Sequence, residues 1–157
     1  MNSCRFCWAF VVAVGLLSIV LAARFMVIGT VEASPDGRTE IVVTLAERDL
    51  ILDEMRSLLE AVQAVIVANN AGDLNTVAVA SRLVGRENMD PRSAEFATRL
   101  PMDFRKLGMD THMRFDKVAL DAEQIESTEH VYQQLGEITA NCVACHRAYR
   151  LAVEDAE

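Results

Sequence analysis

Five residues near the carboxy end, Cys142-Val143-Ala144-Cys145-His146, restrict the possible folds more than any other part of the chain. On a helix, two thiols three residues apart share one face, and the histidine one step further stands beside them. That pattern bonds a porphyrin through two thioethers and offers its iron an imidazole as proximal ligand, so one covalent haem c is expected. With four cysteines and three histidines in 157 residues, independent draws would produce it only about 0.002 times. Zinc would need a fourth protein ligand, and with Cys4 and Cys7 held in or beyond the membrane segment only distant His112 or His130 is left. A redox dithiol would more naturally open a helix in a βαβ pattern, and none is visible. Val131, Leu135, Ile138, Cys142, Cys145, His146 and Tyr149 fall within about 100° on a helical projection. A haem there replaces core side chains.

The opposite end is apolar. Phe6 to Ala23 runs uncharged for eighteen residues, which at about 1.5 Å each nearly spans a hydrocarbon core of roughly 30 Å. Phe25 to Val31 can extend it. Arg5 precedes the run and acids dominate after it, which places the start in the cytoplasm and the body on the exported, periplasmic side of a bacterial inner membrane. Val31-Glu32-Ala33 before Ser34 makes an acceptable cleavage pattern, which would release a soluble periplasmic protein. The run exceeds a usual signal core, and a retained anchor over residues 1–31 is expected. Arg24 reads as a snorkelling cation. Cys4 and Cys7 lie on the reducing side, with Trp8 where a haem motif needs histidine, so they look incidental. Beyond residue 31 there are 13 basic against 23 acidic residues, which argues against nucleic acid as a partner.

Residues 32–43, with Pro35-Asp36-Gly37, read as a turn-prone linker. The rest, 44–157, reads as helices. Thr44 and Glu47 form a capping box at the start of the first. Ile51, Met55, Leu58, Leu59, Val62, Val65 and Ile66 then trace one apolar stripe. Gly72 ends that helix and Asp73 caps a short one from Leu74 to Val84. A loop follows through Asp90-Pro91. A third helix runs from Pro101 to about Ala122, its inner face lined by Phe104, Gly108, Thr111, Phe115, Ala119 and Ala122. Ser127 or Thr128 caps a fourth that continues past Tyr149. The expected fold is all-α, an antiparallel four-helix bundle preceded by one transmembrane or signal helix. No nucleophile, phosphate loop or paired carboxylates suggest an enzyme.

From about Ala46 to Leu151 the chain resembles the class II cytochromes c, which include cytochrome c prime and its low-spin relatives. The haem sequence close to the carboxy end, followed by an aromatic-arginine pair at Tyr149-Arg150, carries the likeness. The resemblance implies a haem-binding bundle and places Met55, in the first helix, where the family has a sixth iron ligand or a smaller apolar residue. Met55 is either that ligand or a packing residue. Relatives commonly carry an arginine four residues earlier, where this chain has Ile51, and Arg48 is a candidate for a haem carboxylate.

His112 is the rival ligand, at the edge of the third helix's inner face and one turn from Gly108, whose missing side chain could let the porphyrin or another helix approach; otherwise it is a partly exposed histidine bonded to a carboxylate or water. His130, about four turns from the haem, reads as a surface residue. Arg150 stands one turn from His146 and near the helix end. The expected function is one-electron transfer between redox partner proteins, with a five-coordinate, gas-binding protein as the alternative. The family's habit of pairing through its first two helices implies a homodimer as an option.

Overall fold

The computed structural model describes residues 2–154, with side chains at all but residues 2–6 and 25–26; the side chains of Cys4, Arg5 and Phe25 therefore lie outside the described residues. It is mostly helical, 75%, so the helical class expected holds, with one small sheet added. Among the described residues the elements run α1 Asn2–Ala23, β1 Val31–Ala33, β2 Thr39–Val43, α2 Leu45–Asn70, α3 Leu74–Leu83, α4 Met102–Gln124, α5 Thr128–Ala148 and β3 Tyr149–Val153.

Local chemistry accounts for most boundaries. Thr44 Oγ1 accepts from the Glu47 N–H at 3.2 Å while Glu47 Oε2 accepts from the Thr44 N–H at 2.8 Å, the reciprocal cap that starts α2. Gly72 ends that helix with φ +73°, a conformation glycine adopts without a Cβ penalty. Asp73 then caps α3 by accepting from the Thr76 N–H at 3.0 Å. α3 stops before Gly85, where a Cβ would fall 1.9 Å from Asp116 Oδ1, so a larger residue would have to push that side chain aside for this corner to close on α4. Pro101 is the residue before α4 rather than in its first turn. Ser127 caps α5 through the His130 N–H.

Four helices pack in a circuit: α2 on α3, α3 on α4, α4 on α5 and α5 back on α2. Val65, Val77, Phe115, Val118, Val131 and Ile138 are fully enclosed between them, with many alanines that let the axes approach. The apolar stripe of α2 is narrower than expected. Leu59 is 69% exposed and Ile66 also faces out, because each lies one step past the seam that Leu58 and Val65 occupy.

Two larger corrections concern the ends of the body. Residues 32–43, expected as a linker, form a hairpin: β1 pairs antiparallel with β2, with Val31 opposite Ile41 and Ala33 opposite Thr39. Pro35-Asp36-Gly37 is indeed the turn, but Ile41 and Val43 are completely buried beside Ile51, Phe96 and Leu100. α5 does not continue past Tyr149. It ends at Ala148, and residues 149–153 run parallel to β2, from Thr39 opposite Tyr149 to Val43 opposite Val153. A strand edge carries unpaired N–H and C=O groups, and β3 satisfies them for β2 from a distant part of the chain. The expected loop after α3 is three short 3₁₀ turns, Arg86–Asn88, Pro91–Ala94 and Ala97–Arg99.

Among the described residues no helix is long and apolar enough to cross a membrane. Described side chains of α1 begin at Cys7, and residues 7–23 rise only about 25 Å. Trp8, Phe10, Leu16 and Leu17 stand exposed on it. Arg24 does not reach away from the protein: its Nη1 donates to Gly29 O at 2.6 Å.

Candidate functional site

A cleft of about 280 Å³ opens where the carboxy end of α5 meets α2, α4 and the turn end of the sheet. α2 contributes Arg48, Leu52 and Met55, spaced at three and four residues so that they share one helical face. α4 contributes Phe104, and α5 contributes Cys145 and His146. Tyr149, Arg150 and Leu151 come from β3, and Arg38 from the hairpin. The walls are apolar and the rim carries three guanidinium groups.

Both cysteines of the α5 site are free thiols, Cys142 exposed and Cys145 half-buried. Burial pushes the Cys145 thiol up to about 11, with Cys142 beside it adding to the effect, and burial raises Cys142 as well. At neutral pH both are protonated, unlike the depressed thiols of redox pairs. His146 is exposed at the mouth of the cleft. Phe104 and Tyr149 meet edge to face, 5.5 Å between centroids and 88° between planes, and close one side. Burial, then Asp103, then Cys145 push the Tyr149 phenol up.

Each arginine is oriented by local partners. Asp36 accepts from Arg38 Nε at 2.9 Å and Nη2 at 2.6 Å, and that guanidinium holds the Asp36 carboxyl far below the usual range. Arg38 Nη1 also lies 3.5 Å from the carbonyl oxygens of both His146 and Tyr149. Arg150 donates to Ser34 Oγ at 3.1 Å and stands 3.5 Å from Glu40 Oε1. Arg48 has an exposed contact to Asp49 at 3.3 Å.

The fold thus gathers Met55, Cys145, His146, Tyr149 and Arg150 around one opening, with Arg48 at its edge. His112 is not brought to it. It is only 4% exposed rather than half-open at a helix edge, and it lines a second cavity of about 210 Å³ with Glu54, Leu58 and Met89. Its Nδ1 lies 2.8 Å from Val84 O, which can only accept, and its Nε2 lies 3.2 Å from Glu54 Oε1. Burial alone pushes this imidazole down, but Glu54, the Val84 carbonyl and the charge of Asp116 outweigh it and raise it. The expected carboxylate partner is present; the expected exposure is not. Gly108 gives no close approach, since a Cβ there would meet nothing within 4 Å. His130 is half-buried, with Nε2 3.0 Å from Asp121 Oδ2.

Sequence reasoning missed Arg38, Leu52 and Leu151 as cleft residues. Arg38 directly follows the hairpin turn, and the β-branched run after it, Ile41 to Thr44, was the available signal of a strand. Among the described residues no three His, Cys, Asp or Glu side chains converge to hold a metal ion. Compared with known proteins, the chain matches no family model, no curated protein and no solved structure.

Proposed function

We propose that this chain is an exported, membrane-anchored monohaem c-type cytochrome of the class II kind, a one-electron carrier whose helices α2 to α5 form an antiparallel four-helix bundle. One observation carries the reading: His146 and Met55 line the same apolar cleft, beside free Cys145 and one helical turn from free Cys142. The residues suit a porphyrin. Cys142 and Cys145, as protonated thiols, would become its two thioether links, and His146 would bind its iron. Leu52, Phe104 and Tyr149 would cover its faces from water, and Arg48, with its one exposed partner, would receive a carboxylate. The bound group would supply one reversible electron at a potential set by its ligands and by how dry the cleft is.

Met55 is the proposed sixth ligand, because it faces this cleft and His112 faces another, with both ring nitrogens engaged. A second reading keeps the sixth position open for a diatomic gas. It is favoured by Leu52, which lies one turn from Met55 and would leave an apolar wall if the thioether only packs.

The test is the mass and spectrum of protein from a cell competent in cytochrome maturation. The expected result is one covalent haem, absent from Cys142→Ser/Cys145→Ser, and a low-spin spectrum that becomes high-spin in Met55→Ala but not in His112→Ala. A bare polypeptide mass overturns the reading. A high-spin wild type that binds carbon monoxide readily selects the gas-binding alternative.

A further inference from the structure

The joint between α1 and the body is built, not tethered. After Ala23 the helix widens through Arg24–Ile28 into one π-type turn, and Arg24 Nη1 donates to Gly29 O at 2.6 Å. Gly29 is buried with φ +73°, and a Cβ on it would fall 2.4 Å from Arg99 O and 2.8 Å from the Leu100 carbonyl carbon. The Thr30 N–H donates to Arg99 O at 2.8 Å, Thr30 O accepts from the Val42 N–H at 3.0 Å, and β1 begins at the next residue. Thr30, the last residue before the sheet, is therefore hydrogen-bonded to the body on both sides, and Gly29 packs against the backbone of 99–101.

The same contacts bear on cleavage. The Ala33-Ser34 bond lies inside the hairpin, with Ala33 opposite Thr39 and Ser34 8% exposed, its hydroxyl held by Arg150. Cutting there removes an edge strand and the whole joint. A flexible linker of twelve residues at 32–43 would let a body roam about 20 Å; folded into the hairpin, those residues give it no such reach. From Thr30 to the turn at Ser34 the sheet climbs four residues, about 13 Å, and there it meets Arg38 and Tyr149 at the cleft.

We infer that α1 and the body form one retained, rigid unit that holds the cleft at fixed tilt and height above the bilayer, and that its electron partner is a redox protein held in the same membrane. The inference rests on the reading of the chain as an anchored cytochrome. One electron passes from the reduced donor to the oxidised cytochrome, or from the reduced cytochrome to its acceptor, and no atom is transferred.

Two measurements on the full-length holoprotein test this, each comparing wild type with an insertion of about ten Gly and Ser residues between Gly29 and Thr30. In oriented bilayers, polarised infrared absorption of the body helices and polarised haem absorption are expected to be dichroic for wild type and isotropic for the insertion. An isotropic wild type overturns the rigid mounting, whatever becomes of the variant. Reoxidation by native membranes is expected to slow about tenfold or more in the insertion, while reoxidation by a small soluble oxidant is unchanged. Equal membrane rates, or full activity only with an added soluble protein fraction, overturn the membrane-held partner. Failure of the underlying reading looks different: the protein washes off membranes at alkaline pH, or carries no haem while its helices remain dichroic.

Discussion

Among the described residues, two apolar clusters have opposite character. The larger, between α2, α3, α4 and α5, is closed by Phe115, Val65, Val77 and Ile138 with alanines between them. The smaller joins Ile41, Val43, Ile51, Phe96 and Leu100 to side chains that are only partly covered, among them Met55, Phe104, Tyr149 and Leu151. The first is filled by its own residues, apart from the cavity beside Leu58, Val84 and His112. The second stops short of filling, and the gap is the cleft. A core that packs to normal density leaves no room for a further group, so the room for one lies where the carboxy end of α5 meets α2 and the sheet. Glu54 and Met55 show the division within two residues: one pairs with buried His112 in one cavity, the other lines the opposite cleft.

The largest expected effect separates the two clusters directly. Phe115→Ala empties a fully enclosed site and is expected to cost about 3–5 kcal/mol by denaturant titration, against about 1–2 kcal/mol for half-covered Phe104→Ala in the protein without haem. Equal costs would mean that the cleft end is as tightly filled as the bundle. Thiol chemistry gives the next contrast. In the protein without haem, with the Cys145 thiol near 11 against an ordinary 9.0, its alkylation at pH 8 is expected to run about a hundredfold slower than that of the unfolded chain. Comparable rates would show the cleft to be open to water.

His112 probes the other cavity. Its folded pKa is raised above the ordinary 6.5, so the protonated form contributes stability that is fully present below about pH 6.5 and lost as pH rises through the raised value. Wild type is therefore expected to lose stability over that window relative to His112→Gln, and a parallel pH dependence of the two would exclude the ion pair with Glu54. The smallest effect is at the start of α2. Thr44→Ala is expected to cost about 1 kcal/mol through the lost cap, with no change in Cys145 reactivity if the helix is held to the cleft by its apolar face instead.

Helix starts and stops were legible because their causes are local. The Thr44 and Glu47 box, Gly72, Asp73 and Ser127 each act within three or four residues. The two thiols and the imidazole on α5 were legible for the same reason, whereas Met55 was placed by the family resemblance, and the fold brings it to the same cleft as Arg150. The sheet was not, because β3 pairs with a strand more than a hundred residues away and nothing in YRLAV announces its partner. Arg38 went unseen with it, as a residue of what looked like a linker. His112 was misplaced because the helical projection of α4 alone does not show that the end of α3 covers it, through Val84.

What the amino-acid order determines by itself is the set of short-range commitments: where helices begin, which faces are apolar, and that two thiols and an imidazole share a turn. Tertiary structure alone decides that the hairpin closes on the end of α5, that α1 enters the body through a buried glycine, and that Met55 rather than His112 lines the cleft with His146. The first set depends on contacts three or four residues apart, whose geometry backbone sterics dictate. The second depends on which distant edges and cavities are left unsatisfied once the helices have packed, and that is a property of the assembled chain.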